Sequence, residues 1–126
     1  MADDGRAELG RLGEDLACRE LERRGYAIVQ RRFRTRAGEM DIVARDGATL
    51  VFLEVKARRG ERCGPPVEAV TWRKRLRLVR IAQHYLALHG GADGPCRFDI
   101  VAVGVGPGRT EVEVYANAFD ATGLAV

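Results

Sequence analysis

A chain of 126 residues with a hydrophobic fraction of 46% has the size and apolar content of one domain with one core, so residues 1–126 are expected to form a single unit. The formal charge of +3 is only moderately basic, and its placement says more than its sum. The longest apolar run, Ile100–Val105, is strand-sized, the acidic start Met1-Ala2-Asp3-Asp4 has no signal-peptide character, and the chain contains no serine; a membrane-spanning helix and a serine nucleophile are thereby excluded, and a cytoplasmic protein is expected.

The first predicted element is a helix from about Glu8 to Arg24, closed by Gly25. Its small residues Gly10, Gly13 and Ala17 would let another element approach closely. Tyr26–Phe33 reads as a first strand and Glu39–Arg45 as a second. An Asp46-Gly47 turn leads to a third strand, Thr49–Lys56, rich in β-branched and aromatic residues. Arg58–Pro66, with two glycines and two prolines, reads as a loop. A long helix is expected from about Val67 to Leu88, ended by Gly90-Gly91. Arg97–Val105, the Gly106-Pro107-Gly108 turn and Thr110–Tyr115 complete the order α-β-β-β-α-β-β. The helix between strands three and four predicts a crossover, hence an α/β fold with a mixed central sheet and flanking helices.

On the long helix Lys74, Leu78, Ile81, Tyr85 and Leu88 share a stripe expected against the sheet. Trp72, Leu76, Val79 and Leu86 form a second apolar stripe, which would need the first helix or another subunit as its partner. His84 and His89 lie five residues apart on this helix and face different ways, so neither a histidine-metal pair nor a Ser-His-Asp triad is indicated. Cys18, Cys63 and Cys96 show no CxxC spacing, which argues against zinc and against a disulfide framework.

The segment that carries chemistry is Gly38-Glu39-Met40-Asp41-Ile42-Val43-Ala44, a turn, and Val51-Phe52-Leu53-Glu54-Val55-Lys56. Alternation puts Glu54 and Lys56 on one strand face with Leu50 and Phe52, and Asp41 and Glu39 on the neighbouring strand can face the same way. Two carboxylates about 4 Å apart repel by roughly 4 kcal/mol at an effective dielectric near 20, so a proton, a lysine or a metal must offset them. Hard oxygen ligands suit Mg²⁺ or Mn²⁺, and a lysine beside them could orient water or stabilise charge on a phosphate. The structural alternative is a buried Glu54–Lys56 ion pair with Asp41 in a turn.

Composition adds weight to the lysines. The chain uses 19 arginines and only two lysines, Lys56 and Lys74, so a surviving lysine marks a place where a compact ammonium is needed. Lys74 stands on the sheet-facing helix stripe where an apolar residue would be expected, and is predicted to reach toward the site or its phosphate. Arginines gather at Arg31, Arg32, Arg34 and Arg36, at Arg58, Arg59 and Arg62, and around Arg73–Arg80; such clusters either meet phosphates or form a solvated surface. Glu39 could be an auxiliary ligand or an arginine partner, and Asp99, on the opposite strand face from Phe98 and Ile100, is expected to make structural hydrogen bonds.

Gly13-Glu14, Gly38-Glu39-Met40-Asp41, Phe52-Leu53-Glu54-Val55-Lys56, Lys74, Arg97-Phe98-Asp99-Ile100-Val101 and Asn117-Ala118-Phe119, in this order, resemble the YraN-like family of endonuclease-like proteins over nearly the whole chain. That family is similar to archaeal Holliday junction resolvases and belongs to the PD-(D/E)xK, restriction-endonuclease-like fold. The resemblance implies that Asp41, Glu54 and Lys56 are the catalytic trio, with Asp41 and Glu54 as metal ligands. It also implies that Glu14 is the first-helix acid that serves a second metal or its water. Met40 replaces the proline of the motif's name, and Arg32 stands where relatives commonly have asparagine. The expected function is a Mg²⁺- or Mn²⁺-dependent DNA endonuclease acting on phosphodiester bonds, with branched DNA as the implied substrate and a homodimer suited to a four-way junction. Arg31, Arg34, Arg36, Arg58, Arg59 and Lys74 would hold the DNA backbone. Two rival readings are a non-cleaving nucleic-acid-binding module and a protein-interaction subunit of a DNA-processing machine.

Overall fold

The computed structural model describes residues 5–60, 70–91 and 94–124. Its elements are α1 (Arg6–Arg23), β1 (Ala27–Thr35), β2 (Gly38–Asp46), β3 (Thr49–Arg59), α2 (Trp72–His89), β4 (Cys96–Gly106) and β5 (Arg109–Phe119). The five strands lie in the order β1-β2-β3-β4-β5. β3 and β4 pair in parallel and the other neighbours antiparallel. The predicted order of elements and the mixed sheet are both present. The parallel pair exists because α2 carries the chain back across the sheet, as a β-α-β crossover must.

The sheet is apolar on both faces, and each face has its own helix. One side buries Met40, Val43, Leu50, Phe52, Phe98 and Ile100 with Leu78, Ile81 and Tyr85 of α2. The Tyr85 ring stands edge-on to Phe33 and Phe52, with centroids 5.2 and 5.7 Å away. The other side buries Ile42, Ala44, Val51, Leu53 and Val101 with Ala17, Cys18 and Leu21 of α1. The helix α1 comes very near β3: a Cβ added at Gly13 would lie 2.5 Å from the Ala57 Cβ. Close approach through a small residue is therefore realised at Gly13.

Several sequence expectations need correction. The helix α2 begins at Trp72, not at Val67. Thr71 is extended (φ −62°, ψ 157°) and its hydroxyl accepts the Lys74 N–H at 3.2 Å, the geometry of an N-cap. Residues 67–69 lie outside the described residues, as do Arg62 and Cys63. Arg58 and Arg59 belong to β3 and not to a loop, because the parallel ladder with β4 continues to Arg59↔Val105. The strand β5 runs past Tyr115 to Phe119 through a bulge at Asn117, whose φ is 56°. The Asn117 N–H donates to Asp99 Oδ1 at 2.8 Å, so the buried Asp99 carboxylate secures the bulge. Asp99 also accepts from the Tyr26 hydroxyl at 2.9 Å and Arg97 Nε at 3.0 Å, which makes it a structural acid as expected.

The two-sided reading of α2 also changes. Leu88 is 72% exposed and off the sheet, whereas Val79 is buried in the same core as Leu78. Trp72 and Leu76 approach Gly123, and the Trp72 indole N–H donates to the Thr122 carbonyl at 3.2 Å. The chain's own C-terminal segment thus meets two of the four residues of the stripe expected to need the first helix or another subunit, and Val79 and Leu86 pack with the core. Among the described residues no helix is long and apolar enough to cross a membrane.

The Gly13–Ala57 approach generates a prediction. Gly13→Ala gains helix propensity but forces α1 off β3, and is expected to destabilise the fold by about 1–3 kcal/mol, the usual range for overpacking. A lower urea midpoint with an unchanged slope would show it; an unchanged midpoint would refute it.

Candidate active site

The β2–β3 ladder runs from Asp46↔Thr49 to Ile42↔Leu53 and stops there. Asp41 and Glu54 are the next residues along each strand, where the two strands separate. The backbone of β3 is left with an unpaired donor on that side, and Asp41 takes it: the Val55 N–H donates to Asp41 Oδ2 at 2.7 Å. This bond turns the Asp41 carboxyl toward Glu54, and the two carboxyls lie within hydrogen-bonding reach of each other. The convergence expected from alternation is therefore present, but it depends on the strands parting and not on a regular pair.

Charge in this gap is finely divided. Glu54 is 4% exposed. Its Oε2 meets the Lys74 ammonium in close contact and lies 3.9 Å from Lys56 Nζ. Lys74 thus reaches over from α2 as expected, and its target is the second motif acid. Burial raises Asp41 well above the ordinary carboxylate range, and the neighbouring Glu54 charge raises it further against the opposing Val55 N–H bond. Burial lowers Lys56, with the Lys74 charge as the next cause. Burial would lower Lys74 too, but its hydrogen bond and charge attraction to Glu54 prevail and raise it. One lysine is tuned toward giving up its proton and the other toward keeping it.

A cavity of about 500 Å³ opens beside this cluster. Its floor is Val55, Lys56 and Ala57 of β3, one wall is α1, and the other includes Arg32, Glu39 and Asp41. Glu14 borders it but is held apart from the Asp41–Glu54 pair. The Glu14 carboxylate accepts from Arg31 Nε at 2.8 Å and from Arg32 Nε at 3.2 Å. Arg31 also pairs with Asp15 at 2.7 Å, which lowers the Asp15 carboxyl below its ordinary value. Glu39 borders the same space and pairs with Arg34 at 2.9 Å. Arg36, Arg58 and Arg59 are exposed, on the β1–β2 turn and the far end of β3. Of the expected site residues, the structure gathers Asp41, Glu54, Lys56 and Lys74 closely, brings Glu14 to the edge, and engages Arg31 and Arg34 with acids.

The donor set fits a hard divalent cation. Two carboxylates that need a positive partner, next to an open polar space, are the kind of site Mg²⁺ or Mn²⁺ uses, since such ions bind through one or two carboxylates and retain waters and phosphate oxygens. Among the described residues no group of three or more His, Cys, Asp and Glu side chains forms a metal cage, so Glu14 does not join the pair in this arrangement.

Arg32 was not marked as a site residue by its sequence. It adopts φ 56°, a left-handed conformation that asparagine enters more readily than arginine. Its Nε donates to Glu14 Oε2 at 3.2 Å, which holds its side chain at the cavity edge. Arg6, Gly10 and Arg11, which also line the cavity, gave no sequence signal of a site beyond the small size of Gly10.

The sheet order, the helix on each face and the acid pair at the parting strands define an α/β protein of the restriction-endonuclease-like class. Comparison with known proteins agrees at the level of family. The model of the uncharacterised protein family UPF0102 matches residues 13–103, which contain every residue of the acid–lysine cluster. The chain belongs to this family, consistent with its YraN-like resemblance. It is 50% identical over 114 residues to a UPF0102 protein of Symbiobacterium thermophilum, covering 90% of this chain and 97% of the relative. It is 47% identical over 120 residues to one of Anaeromyxobacter dehalogenans, covering 95% and 90%. A Frankia alni relative is 49% identical over 114 residues, covering 88% and 95%.

The raised Asp41 carboxyl has a stability consequence with a definite sign. The folded state holds this proton more tightly than the unfolded state, so the contribution is complete below the ordinary Asp range and lost as pH rises through the folded value. Asp41→Asn, which cannot ionise, should melt higher than the parent in chelator at pH 8–9, by about 1.4 kcal/mol for each unit of the shift, and the gap should close toward pH 4. Melting curves across pH test this; parallel curves for parent and variant would contradict it.

Proposed function

We propose that the protein is a divalent-metal-dependent endonuclease that hydrolyses phosphodiester bonds in DNA. The observation that carries the reading is the Asp41–Glu54 carboxyl pair at the parting of β2 and β3, with Lys56 beside it on the cavity floor. A protein that only bound nucleic acid would gain nothing from gathering carboxylates where phosphate must come. A bound Mg²⁺ or Mn²⁺ would supply Lewis-acid stabilisation of the phosphate charge. Asp41 and Glu54 would hold the cation, and the Val55 N–H keeps the Asp41 carboxyl aimed at it. Lys74 fixes the Glu54 carboxylate from the helix side. Lys56, with its lowered proton affinity, borders the cavity where it can exchange a proton with water or offset charge on the phosphate. Arg34, Arg36, Arg58 and Arg59 would meet the flanking backbone without reading sequence. Branched DNA is the substrate suggested by the resolvase resemblance.

One observation favours the non-cleaving alternative. Lys74 and Lys56 already balance Glu54, and Arg31 and Arg32 already balance Glu14, so the site is charge-compensated without a cation. A panel of labelled duplex, flap and four-way DNAs, incubated with Mn²⁺, with Mg²⁺ and with chelator, separates the two. Cleavage that requires metal, is abolished in Glu54→Ala, and falls by roughly 10²–10⁴-fold in Lys56→Met is the expected result. Tight binding with no metal-dependent cleavage would establish the binding module instead.

Lys74→Arg offers a second check. Arginine would hold Glu54 in a rigid planar fork where lysine holds it with a mobile point charge. The expected outcome is cleavage reduced roughly tenfold or more with the melting temperature retained; equal rates would remove Lys74 from the site.

A further inference from the structure

Gly10 stands at a position that helix packing does not explain. It lies on the face of α1 that the sheet covers one turn later, because Gly10, Gly13 and Ala17 recur at three- and four-residue spacing. Gly13 is glycine for a visible reason, its contact with Ala57, and Ala17 is fully buried. A Cβ at Gly10, by contrast, would meet nothing within 4 Å, so the close packing predicted there from its size is absent. Its backbone is ordinary helix, with no positive φ to demand glycine. Glycine is also the poorest helix former after proline. Gly10 is exposed, and such a helix position would ordinarily carry a residue with a side chain and a better helix propensity. Here β2 and β3 have already separated, and the space that such a side chain would fill is the cavity beside Asp41 and Lys56.

The walls of that space suit a phosphate backbone. Arg6 and Arg11 of α1, Arg32 of β1 and Lys56 of β3 all border it. The acids on the same walls are answered from outside the cavity as well as within: Glu14 by Arg31 and Arg32, Glu39 by Arg34. Arg11 is exposed and makes no ion pair among the described residues. Asp41 and Lys56 line this space, and Glu54, 4% exposed, lies behind them against Lys74. A cavity of about 500 Å³ has room for a short stretch of one strand but not for both strands of a duplex.

We propose that the groove between α1 and the parted strands seats a single, unpaired DNA strand. The nucleotide next to the cleaved bond lies against Gly10, and its neighbouring phosphate is gripped by Arg11 and Arg6. The inference rests on the nuclease reading and narrows it: the scissile phosphate belongs to an unpaired segment, as in a flap or an opened junction, and not to intact duplex. With no aromatic side chain among the described residues on the cavity walls, recognition comes from backbone charge and from shape, and not from base stacking.

Binding of labelled single-stranded, blunt-duplex and 5′-flap DNA, followed by anisotropy with Ca²⁺ in place of Mn²⁺, tests this. The wild-type protein is expected to bind single strand and flap roughly tenfold or more tighter than blunt duplex at equal salt. Gly10→Leu should melt no lower than wild type yet lose roughly tenfold or more of its single-strand affinity. Arg11→Gln, a change at an exposed side chain, should lower the slope of log K against log salt by about 0.7 for single strand. Preference for blunt duplex, wild-type affinity in a folded Gly10→Leu, or an unchanged salt slope in Arg11→Gln would each overturn the strand proposal. Mn²⁺-dependent cleavage by the wild-type protein is scored separately, so the nuclease reading can fail or survive independently of these outcomes.

Discussion

Two carboxyl groups meet where β2 lets go of β3, and the rest of the site is arranged around that meeting. Like charges this close in a half-buried gap cannot both be ionised and unanswered. The Val55 N–H, Lys74 and Lys56 each supply part of the answer, and the raised proton affinity of Asp41 supplies another. The same parting of the strands that frees Asp41 from the ladder also opens the cavity beside it. Acid pair and open space are therefore two results of one backbone event.

The arginine-rich composition gains meaning from the contacts. Glu14, Glu39 and Asp99 are each held by arginine, at 2.8, 2.9 and 3.0 Å. Glu54 alone among these acids is held by lysines. An arginine fork fixes a carboxylate in one plane through several donors, while an ammonium on a flexible stem can yield its place to another cation. The chain's two lysines thus meet at the one acid of this set that arginine does not hold.

Much of this was legible in the sequence. Alternation along Leu50-Val51-Phe52-Leu53-Glu54-Val55-Lys56 determines which faces the side chains take, and the Asp46-Gly47 turn brings the second strand alongside. The scarcity of lysine singled out Lys74 although seventeen residues separate it from Lys56 in the chain. What the sequence did not disclose depends on tertiary geometry. The left-handed Arg32, the capture of Glu14 by two arginines and the open space facing Gly10 belong to how α1, β1 and the sheet come together, which no local pattern encodes. The two apolar stripes of α2 misled for a related reason. A helix near the chain's end can be covered by the segment that follows the last strand, and periodicity does not name the covering partner.

The crossover connection has a consequence for when the site comes into being. Hairpin contacts between β1, β2 and β3 close short loops, whereas the parallel β3–β4 pairing must wait for α2 to return the chain across the sheet. Lys74 rides on that returning helix. During synthesis a nascent chain can hold Asp41 and Glu54 side by side before any helix-borne ammonium has arrived to steady them. The completed cluster therefore reports a finished fold, and a partly made or partly unfolded molecule lacks the group that aligns its second acid.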